Sequence, residues 1–166
     1  MLLDEFPVLG HMKAIETAAG LMAGFGVRLW VVIQDIGQMK KHYDKSWETF
    51  IGNAGVLTLW ANTDYETLEY FSKKLGQTGV RLVQPSGASA GQQLSGASST
   101  REELRVQRLQ HPDELELLLA RKHGRILVKA AGQYPVILKR MTYYADAPFQ
   151  GQWDNPDVGS AAGAGR

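Results

Sequence analysis

The chain opens with three apolar residues, 1–3, that run directly into Asp4 and Glu5. This run reads as the tail of a buried strand, with Pro7 and Gly10 marking the turn that follows. Over residues 11–23, Met12, Ile15, Ala18, Ala19 and Met22 recur at the spacing of one helix face, and Gly24 and Gly26 end the pattern. Residues 27–34, VRLWVVIQ, are dense in apolar and β-branched types. They predict a strand buried on both faces, as in parallel sheets, with Trp30 in the core. One or two short helices follow and stop near residues 53–55. The next apolar run, VLTLWA at 56–61, predicts a second buried strand that carries Trp60 inward. NTDYETLEYFSKKLG then has the pattern of an amphipathic helix, capped by Asn62 or Thr63, supported by Glu66 and stopped by Gly76. Strands alternating with helices predict an α/β sheet with right-handed crossovers.

The alternation breaks after residue 84. The stretch 86–100, SGASAGQQLSGASST, holds one leucine among small and polar residues. It buries too little apolar surface to order itself and reads as a flexible loop or linker. REELRVQRL is charged and reads as helical. HPDELELLLARKHG places Pro112 in a first helical turn with acids behind it. Residues 124–144 predict two strands joined by a turn at Gly132 and Gln133. The organisation is thus a core segment at 1–84, a Ser/Gly-rich loop at 85–101, closing helices and a β-hairpin of the same domain at 102–146, and an extended or disordered tail at 147–166.

Composition narrows the function classes. A chain of 166 residues with 44% hydrophobic residues can bury one core. Eighteen basic against 17 acidic residues give a net charge of +1, which neither favours nor excludes a nucleic-acid partner. The absence of cysteine excludes disulfides and thiolate metal sites. No apolar run reaches the roughly 18 residues of a membrane span. The four histidines show no i, i+4 pair and read as solvated. Lys40, Lys41, Lys45, Lys73 and Lys74 alternate with acids, as on a solvated helix face; the alternative is a basic face for single-stranded DNA.

The candidate chemistry lies at strand ends. Ligands of open α/β sheets bind at the carboxyl ends of strands. An apolar strand ending in Asp-Glu matches the Walker B arrangement of P-loop ATPases, in which the Asp holds Mg²⁺ and the Glu activates water. The same dipeptide also suits a turn and a helix cap. Gln34 ends the neighbouring predicted strand. There an amide can sense a γ-phosphate or hold the attacking water, or simply cap the following helix.

The segment LLDEFPVLGHMKAIETAAGLMAGFGVRLWVVIQDIGQMKKHY resembles the stretch from Walker B through the glutamine motif of type IV secretion and conjugation coupling proteins, the TraG/TraD-type ATPases. NAGVLTLWANTDYETLEYFSKKLGQTGV continues the likeness, and HPDELELLLARKHGRILVKAAGQYPVILKRMTYYADAPF resembles the family's closing segment. The resemblance spans residues 1–149, interrupted by the Ser/Gly-rich stretch. It implies an α/β fold: part of a RecA-like P-loop NTPase core with a mainly parallel sheet, plus a C-terminal helix and β-hairpin. It implies ATP and Mg²⁺ as cofactors, Asp4 as the Walker B acid on the metal side, Glu5 as the catalytic glutamate and Gln34 as the phosphate-sensing, catalytic glutamine. The family's arginine position falls near Ala23, and the nearest arginine is Arg28. Lys139, Arg140, Tyr143 and Tyr144 lie in a region that packs near subunit interfaces in the family.

The resemblance further implies a homo-hexamer on the cytoplasmic face of the bacterial inner membrane. Its partners would be a relaxase–DNA complex or protein effectors, other type IV secretion components, and single-stranded DNA. The Walker A pattern, G-x-x-x-x-G-K-[ST], is not found in the 166 residues. The chain therefore reads as the C-terminal part of a motor, inactive by itself. Two alternatives stay open: a fragment of an FtsK-like DNA-translocating ATPase, and a non-catalytic interaction domain.

Overall fold

The computed structural model describes residues 1–21, 26, 28–85 and 100–152. Two short strands, β1 (Leu2–Leu3) and β2 (Trp30–Val31), pair in parallel, with Leu2 opposite Trp30 and Leu3 opposite Val31. Helix α1 (Lys13–Leu21) lies between them in the chain. Helices α2 (Ile36–Tyr43) and α3 (Trp47–Gly52) follow β2 and lead to β3 (Val56–Leu59). Helix α4 (Tyr65–Leu75) then precedes the paired strands β4 (Gln77–Pro85) and β5 (Thr100–Arg108). Helix α5 (Pro112–Leu118) and the hairpin β6 (Arg125–Ala130) and β7 (Val136–Lys139) complete the fold. The α/β class holds, as do the C-terminal helix and the hairpin. The turn between β6 and β7 includes Gly132 at φ 71°, a conformation suited to glycine.

The ladders differ in detail from a mainly parallel sheet. Among the described residues one pair, β1–β2, is parallel. The pairs β3–β6, β6–β7 and β4–β5 are antiparallel. The cause is local: β6 returns alongside β3 from Val56 opposite Ala130 to Leu59 opposite Leu127, and a tight turn brings β7 back onto β6.

The segment 101–109, expected to be a charged helix, instead falls almost wholly in strand β5. Its Glu, Leu, Arg and Gln residues are good helix formers, but Leu104 and Val106 alternate with Arg105 and Gln107 at the period of a strand. Nine successive rows pair it with β4, from Gln77 opposite Arg108 to Pro85 opposite Thr100. The capping Gly76, at φ 89°, ends α4 and β4 starts at Gln77, with β-branched Val80 and Val83 along it. The proposed Ser/Gly-rich loop falls mostly at 86–99, outside the described residues. So do Ala23, Gly24 and residues 153–166, the last including Trp153. The expected extended tail begins with a 3-10 turn at Ala147–Phe149.

Two apolar clusters form the core. The first gathers Phe6, Ile15, Ile36, Met39, Tyr43, Trp47 and Ile51, with Leu29, Val31 and Ile33 packed against it. The second holds Leu59, Leu68, Phe71, Leu115, Leu119 and Leu127. Leu57 and Tyr70 touch both and join them. The strand alternation explains why Trp30 is not in the core. Leu29, Val31 and Ile33 face the first cluster, so Trp30 falls on the opposite face and is 70% exposed. Trp60 is also exposed, and the Arg140 guanidinium lies 4.9 Å from its ring centre.

Candidate functional site

The parallel ladder decides where the acids sit. Trp30 N–H donates to the Met1 carbonyl at 2.8 Å and Val32 N–H to the Leu3 carbonyl at 2.9 Å. The next bond back comes from Phe6 N–H to the Val32 carbonyl, at 3.0 Å. In a regular parallel ladder the donor would be residue 5, two beyond Leu3. Asp4 and Glu5 therefore occupy the space of one residue, as in a β-bulge. Glu5 absorbs the detour in the left-handed region, at φ 45° and ψ 42°. A non-glycine residue there costs about 1–2 kcal/mol. Such strain persists only where the surroundings over-determine it, and here they do. Leu3 packs against the core on one side, and on the other Phe6 is fully buried and stacked on Tyr43 at 5.4 Å. Both carboxylates stay exposed, and Glu5 N–H donates to Asp4 Oδ1 at 3.0 Å.

Gln34 leaves β2 at the same end of this ladder, two residues beyond Val32. The structure thus brings all three predicted site residues to one edge. The turn holding Gln34 is hydrogen-bonded in several places. Asp35 caps α2 by accepting from Gln38 N–H at 2.7 Å. Ile36 N–H donates to the buried Thr67 hydroxyl at 3.0 Å, and that hydroxyl donates to Asp64 at 2.7 Å. Asn62 Nδ2 donates to the Gln34 carbonyl at 2.6 Å, while its Oδ1 accepts from Asp64 N–H at 2.9 Å. Gln38 Nε2 donates to Gln34 Oε1 at 2.9 Å. Lys40 and Glu66 form an ion pair between α2 and α4.

Helix α4 is thus capped by Asp64, which accepts from Thr67 N–H at 2.8 Å, and not by Asn62 or Thr63. Asn62 is committed to the neighbouring turn instead, and Glu66 to Lys40. Sequence reading missed Asn62 and Gln38 as partners of Gln34, and Thr67 as the partner of Ile36 N–H in the same turn. The spacing Asn62, Asp64, Thr67 signals only a local cap; its reach across to the next strand end is tertiary.

The residues present fit part of a nucleotide site. Two exposed carboxylates and an amide at strand ends suit the metal and the terminal phosphate of Mg²⁺-nucleotide. A glycine-rich cradle for the remaining phosphates is not among them. No group of three or more His, Cys, Asp or Glu side chains converges among the described residues. His11 pairs with Glu16 at 2.9 Å, and a hydrogen bond from Ser46 followed by the one from His11 holds the Glu16 carboxyl below its usual range. Lys73 pairs with Glu69, and Lys74 lies over Tyr70. With Lys40 on Glu66, three of the five lysines are engaged with α4. No helix among the described residues is long and apolar enough to cross a membrane.

A second polar cluster lies apart from this edge. Glu69 of α4 receives both terminal nitrogens of Arg108, at 2.5 and 2.8 Å. Arg108, and after it Lys73, bring the Glu69 carboxyl down to about 2, and Glu69 raises Arg108 in return. The pair lines a cavity of about 430 Å³ between α4 and the start of α5.

Comparison with known proteins bears on the family and the fold. The family described as type IV secretory system conjugative DNA transfer matches residues 1–162. Protein VirD4 of Rhizobium rhizogenes is 33% identical over 151 residues, covering 87% of this chain and 21% of VirD4. Conjugal transfer protein TraG of Escherichia coli is 32% identical over 164 residues, covering 90% of this chain and 25% of TraG. The chain therefore spans about a fifth to a quarter of these curated relatives. Among solved structures, the unbound bacterial conjugative coupling protein TrwBdeltaN70 superposes with a TM-score of 0.64 at 19% identity, over 84% of this chain and 31% of that one. TrwB in complex with ADP and Mg²⁺ gives 0.61. The shared fold bears out the partial RecA-like α/β core expected from the sequence.

Proposed function

The chain belongs to the type IV secretory system conjugative DNA-transfer family, and on that premise we propose that it is the Walker B and glutamine-motif part of an ATP-driven coupling-protein motor. The supporting observation is the β1–β2 ladder, which carries Asp4, Glu5 and Gln34 to one edge. That is where α/β sheets bind nucleotides. Mg²⁺ bound with ATP would supply charge neutralisation of the phosphates.

The roles follow from the side chains. Asp4, with Oδ1 engaged by Glu5 N–H, keeps its other oxygen for the metal or a metal-bound water. Glu5 can accept a proton from an attacking water and orient it. Gln34 contacts the γ-phosphate. The remaining phosphates need a cradle from sequence outside these 166 residues, so the isolated chain is proposed to be inactive. In the whole motor, hydrolysis would drive transfer of a relaxase–DNA complex or protein effectors. A homo-hexamer at the inner membrane, working with other secretion components, is part of the same reading.

The test is a chimaera in which this chain replaces the matched 151-residue segment of Rhizobium rhizogenes VirD4. The chimaera should hydrolyse ATP while the isolated chain does not. Glu5→Gln should lower the chimaera's turnover by about 100-fold or more, a usual range for loss of a general base. Turnover by the chain alone, abolished by Glu5→Gln, would contradict the division of labour. Unchanged turnover in the Glu5→Gln chimaera would remove Glu5 from the reaction.

A further inference from the structure

We propose that Gln38 and Asn62 are positioning residues that fix Gln34 as a hydrogen-bond donor to a phosphate oxygen, and not as an acceptor that holds water. The inference deepens the reading above and rests on it. A glutamine amide has one accepting oxygen and one donating nitrogen, and a γ-phosphate oxygen can only accept. Gln38 Nε2 occupies Gln34 Oε1 at 2.9 Å. Among the described residues Gln34 Nε2 has no partner, so the donating end is the one left open on this exposed side chain. Gln38 sits one helical turn after Gln34, and its own backbone N–H is held by Asp35.

Asn62 secures the other half. Its Nδ2 grips the Gln34 carbonyl at 2.6 Å, and its Oδ1 is held by Asp64 N–H at 2.9 Å. The clamp thus ties the end of β3 to the end of β2. It follows Ala61 at φ 45°, a second strained non-glycine residue beside a strand end, after Glu5. The Gln38 bond therefore sets which way the amide faces, and the Asn62 bond holds the backbone that carries it.

The bond pattern gives variants that separate positioning from folding. Asn62→Asp keeps the oxygen that accepts from Asp64 N–H but loses the donor to Gln34. Gln38→Glu, in the first turn of α2, cannot donate; its carboxylate would accept from Gln34 Nε2 and turn the amide over. The experiment is ¹⁵N NMR of the purified 166-residue chain, with thermal melts of each variant. In Asn62→Asp the backbone order parameters at residues 33–36 should fall from about 0.85 towards 0.6. The melting temperature should stay within about 4 °C of the parent. In Gln38→Glu the Gln34 side-chain NH₂ should exchange roughly fivefold more slowly, as one hydrogen bond of about 1 kcal/mol forms on it.

Gln34 signals unchanged in both variants would overturn the proposal. So would loss of order spread evenly over the whole chain, which marks a merely structural residue. This readout needs no turnover. If it succeeds while Gln34→Ala leaves chimaera hydrolysis untouched, the frame stands and the assigned function of Gln34 fails.

Discussion

Phe6 and Val32 are joined by a backbone hydrogen bond of 3.0 Å that skips one residue of the regular ladder. The placement of the two acids of the candidate site follows from that offset. It packs Asp4 and Glu5 into the space of one residue, forces Glu5 into the left-handed region, and leaves both carboxylates in solvent beside the end of β2.

Glu5→Gly should therefore stabilise the isolated chain. Glycine removes the 1–2 kcal/mol left-handed cost but adds unfolded-state freedom of about 0.5–1 kcal/mol, so a gain of roughly 0.5–1 kcal/mol remains. Thermal melts should rise by about 1–4 °C. In the VirD4 chimaera the same substitution should abolish hydrolysis. A fall in melting temperature would mean that Glu5 is not strained.

Phe6 anchors the offset. Its side chain is fully buried between Tyr43 and Phe50, with ring centres 5.4 and 5.5 Å away. Phe6→Ala should cost about 3–5 kcal/mol in urea unfolding, from lost burial plus the cavity left behind. A cost under about 1 kcal/mol would place the anchor elsewhere.

The Glu69–Arg108 pair gives a pH signature. Glu69 titrates at about 2 in the folded chain, below its usual 4.5, chiefly because Arg108 donates to it. A depressed folded value means the stabilisation is complete above the unfolded value and is lost as pH falls through the folded one. The parent should lose stability from about pH 4.5 down to 2, and Glu69→Gln should lack that component. Parallel pH profiles of the two melts would show that the pair contributes nothing.

The β4–β5 register can be checked directly because the chain has no cysteine. Val83 lies opposite Glu102 in the ladder. Opposite residues bring their α-carbons within about 4.5–5.5 Å, inside disulfide range. The double variant Val83→Cys, Glu102→Cys should oxidise to an internal disulfide with faster non-reducing gel mobility. Failure to crosslink would restore the helical reading of residues 102–108.

What could be read from sequence divides along the range of the interactions. Helix α5 was legible because Pro112 and Glu114 act within one turn, and Glu114 closes a capping box with His111. The placement of Asp4, Glu5 and Gln34 at the ends of paired strands was legible because each closes a short apolar run. Trp30 was misplaced because a two-residue ladder leaves one face of β2 open, which a dense apolar run does not reveal. β5 was misread because Glu, Leu, Arg and Gln favour helices locally, whereas its partner strand begins beyond residue 76. The Asn62 clamp was invisible for the same reason: its donor and the Gln34 carbonyl are 28 residues apart.

The most direct test asks whether Glu5 and Gln34 serve one nucleotide. The measurement is a double-mutant cycle on ATP turnover in the VirD4 chimaera, with Glu5→Gln, Gln34→Ala and both together. Groups acting on the same transition state are strongly non-additive. The double variant should be about as slow as the slower single variant. Fully additive losses, or a Gln34→Ala chimaera with parental turnover, would contradict a shared site at the end of the β1–β2 ladder.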